Sequence, residues 1–255
     1  MSLTIIILLC VAAFVAGFID AIAGGGGLIQ TPAALVLLPQ LPVVNVISTA
    51  KIPAFSGTLF AAVQYVRKVK LDLFVTIPLI LLAFAGSLLG SYILTLMTSN
   101  FMKPVLLVVL TCVAVYTFIK KDFGQKERSE PVARRNTVYA MALTLVIGFY
   151  DGFIGPGTGS FLLLAFITIL GQDFLHASAQ AKLVNLATNL ASIIVFSMKG
   201  KILWTIAIPM AISNSLGGTL GARVAIAKGN RFIRILFLVI VTLTLLRLAA
   251  GLAGL

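Results

Sequence analysis

Acidic side chains are scarce in this chain of 255 residues: 7 Asp and Glu stand against 19 Lys and Arg, beside one histidine and two cysteines. Each shortage weighs against a class of function. A lone histidine with no H-E-x-x-H pair gives an intramembrane enzyme neither metal ligands nor an evident nucleophile and base. Cys10 and Cys112 lie far apart in apolar segments, so they read as small hydrophobes and indicate neither a disulfide framework nor a metal site. No P-loop of the form G-x-x-x-x-G-K-S/T occurs, so the chain carries no ATP motor of its own and implies no cofactor. With only 10% charged residues, no stretch reads as a separate soluble domain. The first segment lacks a basic start and an A-x-A-like cleavage site, and is expected to remain in the mature protein.

Apolar sequence is what the chain has in abundance. It is 60% hydrophobic with mean hydropathy +1.13, far too much apolar surface for a soluble globule. Leu3 to Ala23, Leu73 to Met97, Val105 to Ile119 with its flanks, and Ile235 to Leu255 approach or exceed the ~20 residues that cross a ~30 Å hydrocarbon core. The composition therefore predicts an all-α polytopic membrane protein. A net charge of +12 could suggest nucleic acid, but the basic residues lie mostly in short loops between apolar runs. That distribution fits loops beside anionic lipid, so membrane lipid is the expected partner and nucleic acid is not. The oligomeric state is left open, a homo-oligomer included.

Two of the seven acids lie inside long apolar segments. Asp20 belongs to GFIDAIAGGGG and Asp151 to GFYDGFIGPGTG, two copies of one phrase set 131 residues apart (151 − 20). An ionisable group in hydrocarbon is costly unless it meets a cavity or a partner, so its repetition points to a functional centre built twice. The same offset aligns Gly24 with Gly155, Gly26 with Gly157, Lys51 with Lys182, Pro78 with Pro209, Gly86 with Gly217 and Gly90 with Gly221. Duplicated halves are common in secondary transporters. The expected organisation is a first transmembrane repeat at 1–119, a basic linker at 120–136 and a second repeat at 137–255.

The linker carries Lys120, Lys121, Lys126, Arg128, Arg134 and Arg135, which predicts a cytoplasmic location. Each repeat reads as a long helix, a glycine break, a short helix and about three further spans. In the first half these spans are Asn45 to Val66, Leu73 to Met97 and Phe101 to Ile119. Arg67, Lys68 and Lys70 follow the first of them, whereas the second half moves part of its loop charge to Lys228, Arg231 and Arg234. The shift favours inverted halves, each with a re-entrant or broken glycine-centred helix. Parallel halves with four crossings each are the alternative.

After Gly24, Gly25, Gly26 and Gly27 comes an 11-residue apolar run, Leu28 to Leu38, ~16 Å long as a helix and about half the hydrocarbon thickness. A short helix starting behind glycines presents backbone N–H groups and a positive dipole end to an anion. The second copy offers Gly155, Gly157, Thr158, Gly159 and Ser160 at this place, and the first adds Gln30 and Thr31 one turn later. Two such helix starts can meet at one substrate site; the competing reading is that the glycines only permit close helix packing.

Lys51 and Lys182 are the second doubled charge. Lys182, Asn185 and Asn189 share one helical face that can offer an oxyanion a charge and amide donors. Snorkelling to the interface and simple neutralisation of Asp20 and Asp151 are the other readings. On the anion reading, Lys182→Gln weakens anion binding without loss of the fold. His176 and Trp204 read as interfacial residues, and Arg247 receives no site role. The pattern predicts a secondary transporter of a small anion, with Asp20 and Asp151 in proton coupling or structure. A proton-coupled cation exchanger using Asp20 and Asp151 is the alternative.

GFIDAIAGGGGLIQTPA, GFYDGFIGPGTGSFLL and AKLVNLATN resemble the TauE/SafE sulfite exporter family, also called the 4-toluene sulfonate uptake permease family. The resemblance spans nearly the whole chain and is greatest to compact bacterial inner-membrane members known as probable permeases. It implies a multi-pass protein of the cell inner membrane that moves sulfite, sulfoacetate or a related sulfonate, often outward. The second phrase departs from an all-glycine run through Pro156 and Thr158.

Overall fold

The computed structural model describes residues 2–98 and 134–252. The expected span Phe101 to Ile119 and the linker from Lys120 to Ala133 lie outside them. The described residues form eight helices and no strand: α1 Leu3–Ala23, α2 Gly27–Leu37, α3 Val43–Val66, α4 Leu73–Leu96, α5 Arg134–Phe153, α6 Thr158–Leu170, α7 Phe174–Met198 and α8 Trp204–Leu252. The chain is an all-α polytopic membrane protein. Among the described residues, α1, α3, α4 and α7 are long and apolar enough to cross a bilayer. Large apolar side chains face outward, including Leu3, Phe74 and Val146, while Ser87, Thr188, Asn189 and Ser192 are buried. Burying polar groups between helices and leaving apolar ones outside is what a hydrocarbon surround favours.

Local chemistry sets the helix ends. Gly24 ends α1 in the left-handed region (φ 77°), and its N–H donates to Asp20 O at 2.8 Å. Asp72 and Asp173 cap α4 and α7, accepting from Phe74 N–H at 2.9 Å and His176 N–H at 2.8 Å. The His176 ring Nδ1 also sits 3.0 Å from the Asp173 carboxylate at the start of α7. A break at Gly229 (φ 69°, ψ −166°) divides α8.

The starts of α1 to α4 and of α5 to α8 keep one spacing: Leu3 and Arg134, Gly27 and Thr158, Val43 and Phe174, Leu73 and Trp204 are each 131 apart (134 − 3). Packing is reciprocal in the same register. Helix α1 lies chiefly along α8 and α5 along α4, while α3 packs on α8 and α7 on α4. Small residues bring these backbones together. A Cβ at Gly86 would sit 2.8 Å from Phe149 N, and one at Gly217 would sit 2.9 Å from Phe18 N.

Candidate functional site

Where α1 and α5 end, the two glycine phrases touch. A Cβ on Gly24 would lie 2.7 Å from Gly159 O and from Ser160 N, so the breaks meet backbone to backbone. A cavity of about 50 Å³ opens beside this contact. At ~15 Å³ per water, it has room for about three waters or a small oxyanion.

The cavity draws together residues from both halves. Asp20, Gly24, Gly26, Gly27 and Lys51 line it from the first, and Asp151, Gly155, Gly157, Thr158, Gly159, Asn185 and Asn189 from the second. Gly25, Ser160 and Lys182 lie outside this lining. The Ser160 hydroxyl donates to Ala23 O at 3.2 Å, holding the two breaks together. Lys182 sits behind the lining with its ammonium on Asp20.

Each lysine reaches the aspartate of the other half. Lys51 Nζ lies 3.1 Å from Asp151 Oδ1 and donates to Asp151 O at 2.5 Å. Lys182 Nζ lies 2.6 Å from Asp20 Oδ2 and also donates to Asp20 O. Both carbonyls belong to the last turns of their helices, where acceptors are in excess and the dipole is negative. Each ammonium thus caps a helix as well as pairing a carboxylate, which makes neutralisation of the aspartates part of what both lysines do. Gly155 (φ 95°) makes one approach possible, since a Cβ there would stand 2.9 Å from Lys51 Nζ.

Sequence reasoning missed two polar lining residues, Asn214 and Thr58, and left Gln30 and Thr31 at the edge of the site. Asn214 Nδ2 donates to Gln30 Oε1 at 2.8 Å, and Gln30 Nε2 to Ala50 O at 2.9 Å, so a chain of amides crosses from α8 to α3. An amide within the apolar run Thr205 to Leu216 was itself the available signal. Its counterpart in the repeat register is Ala83, so the offset does not mark it.

An all-α membrane protein with a charged, amide-lined cavity between two broken helices has the construction of a transporter. The chain belongs to the sulfite exporter TauE/SafE family, whose profile matches residues 9–248. It is 37% identical over 244 residues to "Probable membrane transporter protein ORF9" of Sinorhizobium sp, covering 95% of this chain and 91% of that protein. A "Probable membrane transporter protein" of Haemophilus influenzae is 36% identical over 228 residues, 89% of this chain and 88% of that one. "Probable membrane transporter protein YfcA" of Escherichia coli K12 is 31% identical over 232 residues, 89% and 83% of the two chains. No solved structure matches significantly.

Proposed function

We propose that the chain is a secondary transporter that moves a small sulfur-containing or organic anion, such as sulfite, sulfoacetate or a related sulfonate, outward across the inner membrane. The observation that carries this reading is the cavity at the meeting of the two glycine breaks. Its lining includes Lys51 and the amide-bearing residues Gln30, Asn185, Asn189 and Asn214, a composition that supports an oxyanion as the occupant. The starts of α2 and α6 add the positive ends of two helix dipoles. Both aspartates already hold a lysine, which weighs against direct cation binding as their main task.

Purified protein in liposomes, assayed with sulfite, thiosulfate, sulfoacetate and taurine, tests the substrate class. At least one sulfur oxyanion is expected to move. Asn214→Leu is expected to weaken its binding by about 10- to 100-fold, the scale of a hydrogen bond to a charged group. Transport of none of the four, by protein that elutes as a single folded species, would remove the reading.

We further propose that the repeats are inverted, on the reciprocal helix packing and the shifted loop charges. Lys70→Cys and Lys201→Cys, placed singly in a chain with Cys10 and Cys112 replaced, are expected to react with an impermeant maleimide from opposite sides of oriented vesicles. Labelling from the same side makes the halves parallel.

A further inference from the structure

Asp20 and Asp151 hold the same place in the two glycine phrases, but their carboxylates are not equally satisfied. Both oxygens of Asp20 have partners. Oδ1 accepts from Gly26 N–H at 3.3 Å, and Oδ2 accepts from Lys182 at 2.6 Å and from Thr58 at 3.5 Å. Asp151 is 2% exposed; its Oδ1 faces Lys51, and its Oδ2 is buried with no hydrogen-bond partner among the described residues.

The sequence explains the difference. Gly25 is replaced by Pro156, which restricts the residue before it and has no N–H. Gly155 and Gly157 both take positive φ, 95° and 88°, whereas Gly26 is helical at −58°. Thr58, which donates to Asp20, is replaced by Asn189, whose amide turns instead to Asn185 O at 2.8 Å. In the second half neither the Gly157 N–H nor the Asn189 amide takes the place that Gly26 and Thr58 hold at Asp20.

A buried carboxylate oxygen without a donor is costly, and a proton relieves it at once by making the acid neutral. The charged and titratable neighbours are few. Lys51 comes from α3, and Tyr150 on α5 itself donates its hydroxyl to Pro156 O at 2.5 Å. Asp20, with Lys182 on it, also lines or adjoins the same cavity. Lys51 carries the one full positive charge in the described lining, and Asp151 holds it.

Resting on the anion-transport reading, we propose that Asp151 Oδ2 is the proton site of the transport cycle, and that its protonation releases the Lys51 ammonium to the substrate oxyanion. The proton comes from water on one face and returns to water on the other; only an O–H bond forms and breaks. Proton and anion then bind together and cross in the same direction. An outward substrate gradient carries a proton out with each anion. Asp20, with both oxygens satisfied, holds the α1 break in place.

Infrared difference spectroscopy of the full chain in liposomes tests this without requiring transport. Acidification is expected to raise a carboxylic-acid carbonyl band that is lost in Asp151→Asn and kept in Asp20→Asn. A band kept in Asp151→Asn overturns the assignment. Should Asp151→Asn not fold, Asp151→Glu retains a carboxyl and must displace the band; an unmoved band counts equally against it. Sulfite added at constant pH is expected to increase the band, and no change in liposomes that do transport sulfite overturns the link to Lys51. A band that titrates at Asp151 in protein moving none of the four test anions removes the substrate reading and leaves the proton site standing.

Discussion

Gly24→Ala is expected to leave little folded protein, whereas Gly200→Ala is expected to fold almost as the parent does. Both glycines have left-handed backbones, φ 77° and 61°, so any side chain carries a conformational cost of about 1–2 kcal/mol at either place. They differ in surroundings. A Cβ at Gly200 meets nothing within 4 Å, while one at Gly24 would stand 2.7 Å from Gly159 O and Ser160 N. Those are main-chain atoms of a helix start and cannot rotate away, so the two breaks must separate. Overpacking of this kind costs roughly 1–3 kcal/mol, occasionally more, beyond the backbone strain. The two variants should therefore differ by about 1–3 kcal/mol in apparent stability in detergent, and Gly24→Ala should lose transport because its cavity lies beside the contact. Equal stability of the two variants would mean that the glycine breaks do not touch.

The break itself was legible because glycine runs, apolar periodicity and a constant repeat offset are local or pairwise properties of sequence. Helix α2 begins at Gly27, one residue before the expected Leu28, and has the expected 11 residues. Which lysine meets which aspartate was not legible. Lys51 and Asp151 are 100 residues apart and Lys182 and Asp20 162, so their pairing is set by how α3 crosses α5 and α7 crosses α1. The helical face expected to present Lys182, Asn185 and Asn189 together was divided by the same tertiary constraint. The two asparagines line the cavity, and the lysine turns to the end of α1. A constant offset marks only residues that occur twice, so it leaves out Asn214, and the unequal partners of Asp20 and Asp151 arise from tertiary contacts that two matching phrases do not encode.

Lys182→Gln is accordingly expected to act on stability before it acts on the anion. The Lys182 side chain is 3% exposed and that of Asp20 19%, and removing the ammonium leaves Asp20 with the Gly26 amide and a long contact to Thr58. Breaking a buried pair from one side costs about 3–5 kcal/mol, and the partial exposure of Asp20 places this case near the lower figure. At ~2–4 °C per kcal/mol for a chain of this size, the apparent midpoint should fall by roughly 6–12 °C. Asp20→Asn should cost no less, because it strands the deeper Lys182 ammonium, which keeps only the Asp20 main-chain carbonyl among its present acceptors. The double variant Asp20→Asn with Lys182→Gln has no stranded charge and should recover at least half of the loss, since neutral replacement of a buried pair is often nearly free of cost. Thermal unfolding of the four proteins in one detergent gives the cycle directly. If Lys182→Gln unfolds at the parental temperature yet binds sulfite more weakly, the lysine belongs to the cavity and the capping role assigned to it is wrong.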